Sequence, residues 1–214
     1  LDSLKDFGEF EVEQQSKIRK LGAKNLTESW TSIPHVTHFE EIDISVIERQ
    51  RAELNKTSEI KLTPLSYLVM KVLNALQEFP QFNAALVGEG EVMLRKYFNI
   101  GIAVDTRDGL LVPVIKDADK LNITEVANEI IMLAEKAKNK KLLERNLSGG
   151  TFSISSLGPM GGVGFTPIIN PPEVAILGVS RAKKVPFLEG DKLVEKTILP
   201  VALSYDHRVI NGAD

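Results

Sequence analysis

Apolar residues recur along this chain with two periods, and the stretches where each period holds divide it into helices and strands. The clearest helix is Pro64 to Glu78, where Leu65, Leu68, Val69, Val72, Leu73 and Leu76 share one face, Thr63 caps, and Pro64 suits the first turn. Such a face must be buried. A second helix is expected under a Thr124 cap, with Val126, Ile130, Leu133, Ala134 and Ala137 on one side and basic residues in its last turn, where the helix dipole favours them. Ser16 caps another, running through Ile18 and Leu21 toward Trp30 over an interior Gly22 until Pro34 stops it. Asp43 or Ser45 caps a fourth, Ser45 to Lys56.

The strand-like stretches are shorter. His35 to Ile44 alternates loosely through Val36, Phe39 and Ile42. Ile100–Val104 and Leu110–Ile115 read as two central strands around a turn at Asp105–Gly109. Thr151–Ser156, Val174–Ser180, a hairpin turning at Glu189-Gly190-Asp191, and Ile198–Tyr205 are β-like by residue type and length. Residues 1–15 carry several acids and no sustained apolar period, so they read as the remnant of a linker, with the folded domain at 16–214. No internal repeat is present, and helices mixed with strands without regular alternation favour an α+β fold over a doubly wound one.

Composition narrows the function classes. With 43% hydrophobic and 26% charged residues among 214, the chain can bury a substantial core. The longest apolar runs, such as Val174–Val179, are far short of the ~18 residues a membrane helix needs. A net charge of -3 offers no electrostatic footprint for nucleic acid, so neither a membrane nor a nucleic acid is expected as partner. The absence of cysteine removes disulfide scaffolds, thiolate zinc sites and cysteine nucleophiles, and fits a reducing compartment. The start at Leu1, with acids close behind, is unlike a signal peptide and suggests a piece of a longer chain.

Three histidines limit the candidates for acid–base work near neutral pH. His35 and His38 lie in a strand-like context that sends odd-spaced side chains to opposite faces, so a structural role is favoured over shared metal coordination, and no metal is expected. Asp206-His207-Arg208 ends an apolar strand and is followed by Asn211 and Gly212, a corner that hosts function or a solvated salt bridge with equal ease. Ser153, Ser155 and Ser156 run into Gly158, Gly161, Gly162 and Gly164 without the spacing of a phosphate loop, a dinucleotide fingerprint or a nucleophile elbow. Structural turn glycines are the favoured reading; the alternative is a serine hydroxyl at this strand end that donates to an oxyanion, a role that needs no activation, while a serine nucleophile is disfavoured.

Four ordered blocks, Ile102-Ala103-Val104-Asp105-Thr106, Thr151 to Gly158, Asn170-Pro171-Pro172-Glu173 through Val179, and Ser204 through Gly212, together resemble the catalytic domain of dihydrolipoamide acyltransferases, the core of 2-oxo-acid dehydrogenase complexes. The resemblance covers nearly the whole chain. It implies a chloramphenicol-acetyltransferase-like mixed β-sheet sandwich flanked by helices, forming trimers, with a closing helix expected beyond Asp214. Lys20–Leu26, Trp30 and Ile33–Phe39 look like the pyruvate branch, hence acetyl transfer between dihydrolipoamide and coenzyme A in the cytoplasm.

By motif position the resemblance makes His207 the general base and Ser155, rather than Ser156, the oxyanion donor. Asn211 stands where the family often has aspartate and would position a thiol or water. It further implies that Asp206 is anchored by an arginine, for which Arg51 is the candidate, and that a basic residue such as Arg181 meets the coenzyme A phosphates. Implied partners are two further copies of the chain, assembly of trimers into a larger cubic core, lipoyl domains carried on a segment outside this chain, and the decarboxylase and dihydrolipoamide dehydrogenase components. Competing expectations are a noncatalytic trimeric scaffold, a succinyl or branched-chain acyltransferase, and transfer to a small hydroxyl acceptor.

Overall fold

The computed structural model of the chain describes residues 2–214. After a short 3-10 segment at Asp2–Phe7, residues 8–16 have no regular structure and lie almost wholly exposed. Helix α1 (Lys17–Ser32) then begins where expected, the Ser16 hydroxyl accepting from the Arg19 N–H. Strand β1 (His35–Asp43) follows Pro34 and leads into α2 (Ser45–Leu54). Here the cap differs from expectation: Ile44 holds the cap position, and Asp43 Oδ1 instead accepts from the N–H and hydroxyl of Ser45 at 2.9 and 2.6 Å.

Helix α3 (Pro64–Glu78) is closed by reciprocal bonds between Thr63 and Ser66, and buries Val69, Val72, Leu73 and Leu76 as its pattern requires. Two short strands unforeseen in the sequence, β2 (Ala84–Val87) and β3 (Glu91–Leu94), pair through a turn containing Gly88 and Gly90, both at positive φ. The region read as two strands breaks into four, β4 (Ile100–Ile102), β5 (Val104–Thr106), β6 (Gly109–Leu111) and β7 (Val114–Ile115). Strands β4 and β7 enter the main sheet, while β5 and β6 pair only with each other. Helix α4 (Ile123–Lys138) starts one residue before Thr124. Asn122 caps it by accepting from the N–H groups of Thr124 and Glu125, because an amide two residues upstream reaches those donors better than the Thr124 side chain.

The remaining strands, β8 (Phe152–Ser156), β9 (Ala175–Val179), β10 (Lys183–Glu189) and β11 (Lys192–Asp206), complete a seven-stranded mixed sheet. Its order is β1-β11-β9-β8-β4-β7, with β10 paired to the first half of β11. The β9–β8 and β8–β4 pairs are parallel and the others antiparallel. Helices α3 and α4 pack together on one face, where Val69, Leu73, Val126 and Leu133 meet Ile100, Ile115, Phe152 and Ile154, each 3% exposed or less. Burial of each such side chain contributes about 1.5–3 kcal/mol. The opposite face is crossed by the segment 165–169, which α1 fastens through a buried bond from the Ser29 hydroxyl to the Ile169 carbonyl, 2.7 Å. The α+β mixed sheet flanked by helices is thus the expected architecture. Among the described residues no helix is long and apolar enough to cross a membrane.

Candidate functional site

Strand β11 lies between β1 and β9 and delivers its last residues to a rigid corner. The Asp206 N–H donates to the Val174 carbonyl at 2.8 Å and the His207 N–H to the Pro34 carbonyl at 3.1 Å. The chain then turns over Asp206, whose carbonyl accepts from Val209 and Ile210, and Ile210 is buried beneath it. His207 is left exposed on a backbone fixed on both sides. Its ring stands 6.1 Å from that of Tyr205, which meets His38 edge-on at 5.7 Å. Neither ring nitrogen of His207 is hydrogen-bonded among the described residues.

Asp206 is 2% exposed and fully engaged: its carboxylate accepts from the Arg208 backbone N–H at 3.0 Å, from Nε at 2.9 Å and from Nη2 at 2.6 Å. This corrects the expected anchor. Arg51 is gripped instead by Glu48, one turn earlier on α2, through Nε and Nη2 at 2.9 and 2.7 Å, and donates Nη1 to the Leu62 carbonyl. A partner three residues away on the same helix needs no long-range folding to be in reach. The adjacent signal, Asp206-His207-Arg208, was itself enough to suggest the local pair.

His35 and His38 occupy opposite faces as alternation demands. His35 has Nδ1 at 2.9 Å from the Ile33 carbonyl, while its Nε2 accepts from the Ile169 N–H at 3.0 Å, so both nitrogens are structural. His38 lines a cavity of about 380 Å³ with Tyr205, Asn211 and Gly212. Asn211 is exposed, its N–H donating to Asp214 Oδ2 at 2.8 Å.

The serines separate by strand alternation. Ser153 and Ser155 line a cavity of about 260 Å³ with Ala103, Val112, Phe165 and Ile176, on the face away from α3 and α4. Ser156 points the other way and accepts from the Gly158 N–H at 3.5 Å. The Ser155 hydroxyl has no hydrogen-bond partner among the described residues, so it is available to a ligand. Gly178, the β9 residue opposite it, leaves room for the wall: a Cβ there would lie 2.9 Å from the Phe165 ring. Arg181 is exposed in the connection after β9, at the Ser156 end of the sheet.

The structure does not bring Ser155 and His207 together in one chain. Ser155 is level with Gly178 and Gly178 with Ala202, so His207 stands two strands across and five residues along, roughly 20 Å away. Alternation from Ser204 also puts the two side chains on opposite faces. His207 and Ser155 therefore do not share one pocket within a single chain.

Sequence reasoning missed a buried polar group beside this face. Glu173, Arg95 and Ser153 are 4, 5 and 1% exposed. The signal lay in Gly150 and Gly101, whose missing side chains make space for Glu173 and Ser153, but a hydrophobic pattern assigns lone charges to the surface.

The family model of the 2-oxoacid dehydrogenases acyltransferase catalytic domain matches residues 7–214. The dihydrolipoyllysine-residue acetyltransferase component of the pyruvate dehydrogenase complex of Cupriavidus necator is 48% identical over 97% of this chain, which spans 38% of that relative's length. A solved structure of the dihydrolipoamide acetyltransferase of Azotobacter vinelandii, used to investigate the role of a serine, a histidine and an asparagine in its catalytic mechanism, superposes with a TM-score of 0.95 at 46% identity, covering all of this chain and 89% of that one. The cubic core of the pyruvate dehydrogenase multienzyme complex gives the same values. A chloramphenicol acetyltransferase, 18% identical over 89% of this chain and 87% of its own with a TM-score of 0.52, shares the fold.

Proposed function

The chain belongs to the 2-oxoacid dehydrogenases acyltransferase family, and from that membership we propose that it transfers an acetyl group between dihydrolipoamide and coenzyme A as the core of a pyruvate dehydrogenase complex. The observation that carries the assignment of residues is spacing. His207 follows Ser155 by 52 positions and Asn211 follows His207 by four, the same intervals that separate the serine, histidine and asparagine investigated in the Azotobacter vinelandii enzyme.

The reaction exchanges one thioester for another, so bond energy is nearly conserved and the barrier is what requires catalysis. A thiol of pKa ~8.5 is only a few per cent thiolate near pH 7. The His207 imidazole takes the proton of the coenzyme A thiol as its sulfur attacks the acetyl carbonyl of the lipoyl thioester. The carbonyl electrons move onto oxygen, and the Ser155 hydroxyl donates to that oxyanion. A preformed donor of this kind is worth about 3 kcal/mol, or a hundredfold in rate. When the tetrahedral species collapses, the dihydrolipoyl sulfur leaves and takes the proton back from the imidazolium. Asn211 orients the thiol or a water beside the ring.

The roughly 20 Å between His207 and Ser155 within a chain supports a trimer in which each site takes its histidine from one subunit and its serine from the next. Such trimers pack into a cubic core, as in the multienzyme complex of similar fold. Lipoyl domains from segments beyond this chain visit the site, the decarboxylase and dihydrolipoamide dehydrogenase components bind around it, and Arg181 meets the coenzyme A phosphates. The complex works in the cytoplasm. The test is acetyl transfer from acetyl coenzyme A to free dihydrolipoamide, with propionyl and succinyl coenzyme A alongside. Acetyl-selective turnover that His207→Ala abolishes without dispersing the trimer is expected. Turnover unaffected by that change, or an intact trimer with none at all, would overturn the reading.

A further inference from the structure

The buried group around Glu173 is not used by the reaction above, yet it adjoins the face of β8 that carries Ser155. Arg95 spends its guanidinium on backbone, Nη1 on the Thr151 carbonyl at 3.4 Å and Nη2 on the Pro172 carbonyl at 3.1 Å, and so ties the approach to β8 to the approach to β9. Beside it the Glu173 carboxyl occupies space that Gly150 keeps open, since a Cβ there would lie 2.7 Å from Oε1. Gly101 does the same for Ser153, with 2.7 Å to its Oγ. Glu173 Oε2 and Ser153 Oγ are both buried and neither has a well-formed hydrogen bond, though the two side chains lie near enough for Ser153 to act on the carboxyl. Two neighbouring polar groups left unsatisfied in an interior are costly and call for a role.

Ser153 and Ser155 share one face of β8 and one cavity, and the ~7 Å between alternate residues of a strand leaves room for a single bridging water. We propose that Glu173 is a positioning residue for acyl transfer, its protonated carboxyl acting through Ser153 to turn the Ser155 hydroxyl toward the oxyanion. The carboxyl O–H donates to Ser153 Oγ. The Ser153 hydroxyl is then free to donate toward Ser155, directly along the cavity or through the water, and Ser155 keeps its own proton for the substrate oxygen. No proton changes hands along this line; only hydrogen-bond direction is set. The inference rests on the reading of Ser155 as the oxyanion donor.

Ionisation reverses that direction, because a carboxylate can only accept and draws the Ser153 proton toward itself. Burial pushes the Glu173 carboxyl up from 4.5 to about 7, against the opposing pull of Ser153, Arg95 and Asn170. Arg95 is the charged group that faces it; Ser153 and Asn170 are neutral. The line is therefore set in slightly acid solution and undone in slightly alkaline solution.

The experiment compares kcat for acetyl transfer in the assembled protein from pH 6 to 8. A glutamine at this position keeps an N–H donor and cannot ionise, so the ratio of Glu173→Gln to wild-type kcat should rise about tenfold over that range, with KM unmoved. In a Ser153→Ala background the ratio should stay flat. Ser153→Ala alone, which removes one small buried hydroxyl, should lower kcat and remove the alkaline decline, so the proposal stays testable if Glu173→Gln fails to fold. A flat ratio in the wild-type background, or a Ser153→Ala enzyme with wild-type rate and profile, overturns the proposal. Ser155→Ala separates the two claims: a mutant that retains full turnover removes the underlying reading as well, whereas lost turnover with a flat ratio removes only the role of Glu173.

Discussion

Glu173→Gln also makes a prediction about stability that depends on no assumption about the reaction. In the unfolded chain this carboxyl ionises near 4.5; in the folded protein burial holds its proton to about 7. Between those values the folded state binds a proton that the unfolded state has released. Stability is therefore fully present below about pH 4.5 and is lost as pH rises through 7. The gap of about 2.5 pH units, at ~1.4 kcal/mol each, makes the loss about 3 kcal/mol. Glutamine has nearly the same shape and never ionises, so its stability relative to wild type should grow by about 3 kcal/mol between pH 4.5 and 8 and then level off. Urea unfolding followed by circular dichroism at one fixed protein concentration reads this directly; the concentration is fixed because assembly adds to apparent stability. A difference that stays constant over the range would refute the argument from burial. A wild-type protein that gains on the mutant as pH rises would mean that Arg95 stabilises the carboxylate by more than burial penalises it.

Other expectations follow from single contacts. Ser155→Ala should lower kcat about a hundredfold while Ser156→Ala changes it no more than a few fold, measured as acetyl transfer at saturating substrate, since only Ser155 faces the cavity. A double-mutant cycle in chemical denaturation should find coupling of about 1 kcal/mol between Asp206 and Arg208, and none between Asp206 and Arg51. Gly178→Ala forces a Cβ against the Phe165 ring and Pro167, and should cost about 1–3 kcal/mol in the same assay. Leu73→Ala, at a position 2% exposed under the sheet, should cost about 2–5 kcal/mol.

Local chemistry made parts of this fold legible. Thr63-Pro64 and the face from Leu65 to Leu76 marked α3, and Ser16 marked α1, because a cap and an apolar stripe are written within one or two turns. The cap of α4 is equally local: Asn122 and Glu125 form the reciprocal pair, two residues ahead of the Thr124 that the pattern suggests. The break of residues 100–115 into four strands was hidden because the partner of Ile100 is Phe152, about fifty residues on and parallel, and no local period records that pairing. Strands β2 and β3 are short, and all of β3 is exposed, so alternation had little to show. His207 and Ser155 were visible as motif residues, and strand alternation separated Ser155 from Ser156. The roughly 20 Å between His207 and Ser155 was not legible, since it depends on sheet order. Glu173 has no task that its sequence context reveals, because nothing local says that a charged side chain goes inside.

The central claim, that one subunit's His207 serves another's Ser155, is tested most directly by co-expressing His207→Ala and Ser155→Ala chains and assaying the mixed trimers. Alone, the His207→Ala chain should be inactive and the Ser155→Ala chain about a hundredfold slower than wild type. In random equal mixtures about a quarter of the interfaces pair an intact histidine with an intact serine, so about a quarter of wild-type turnover should return. Mixed trimers, verified by two different affinity tags, that stay no more active than the parent mutants would contradict the account and place both groups in the service of a single chain.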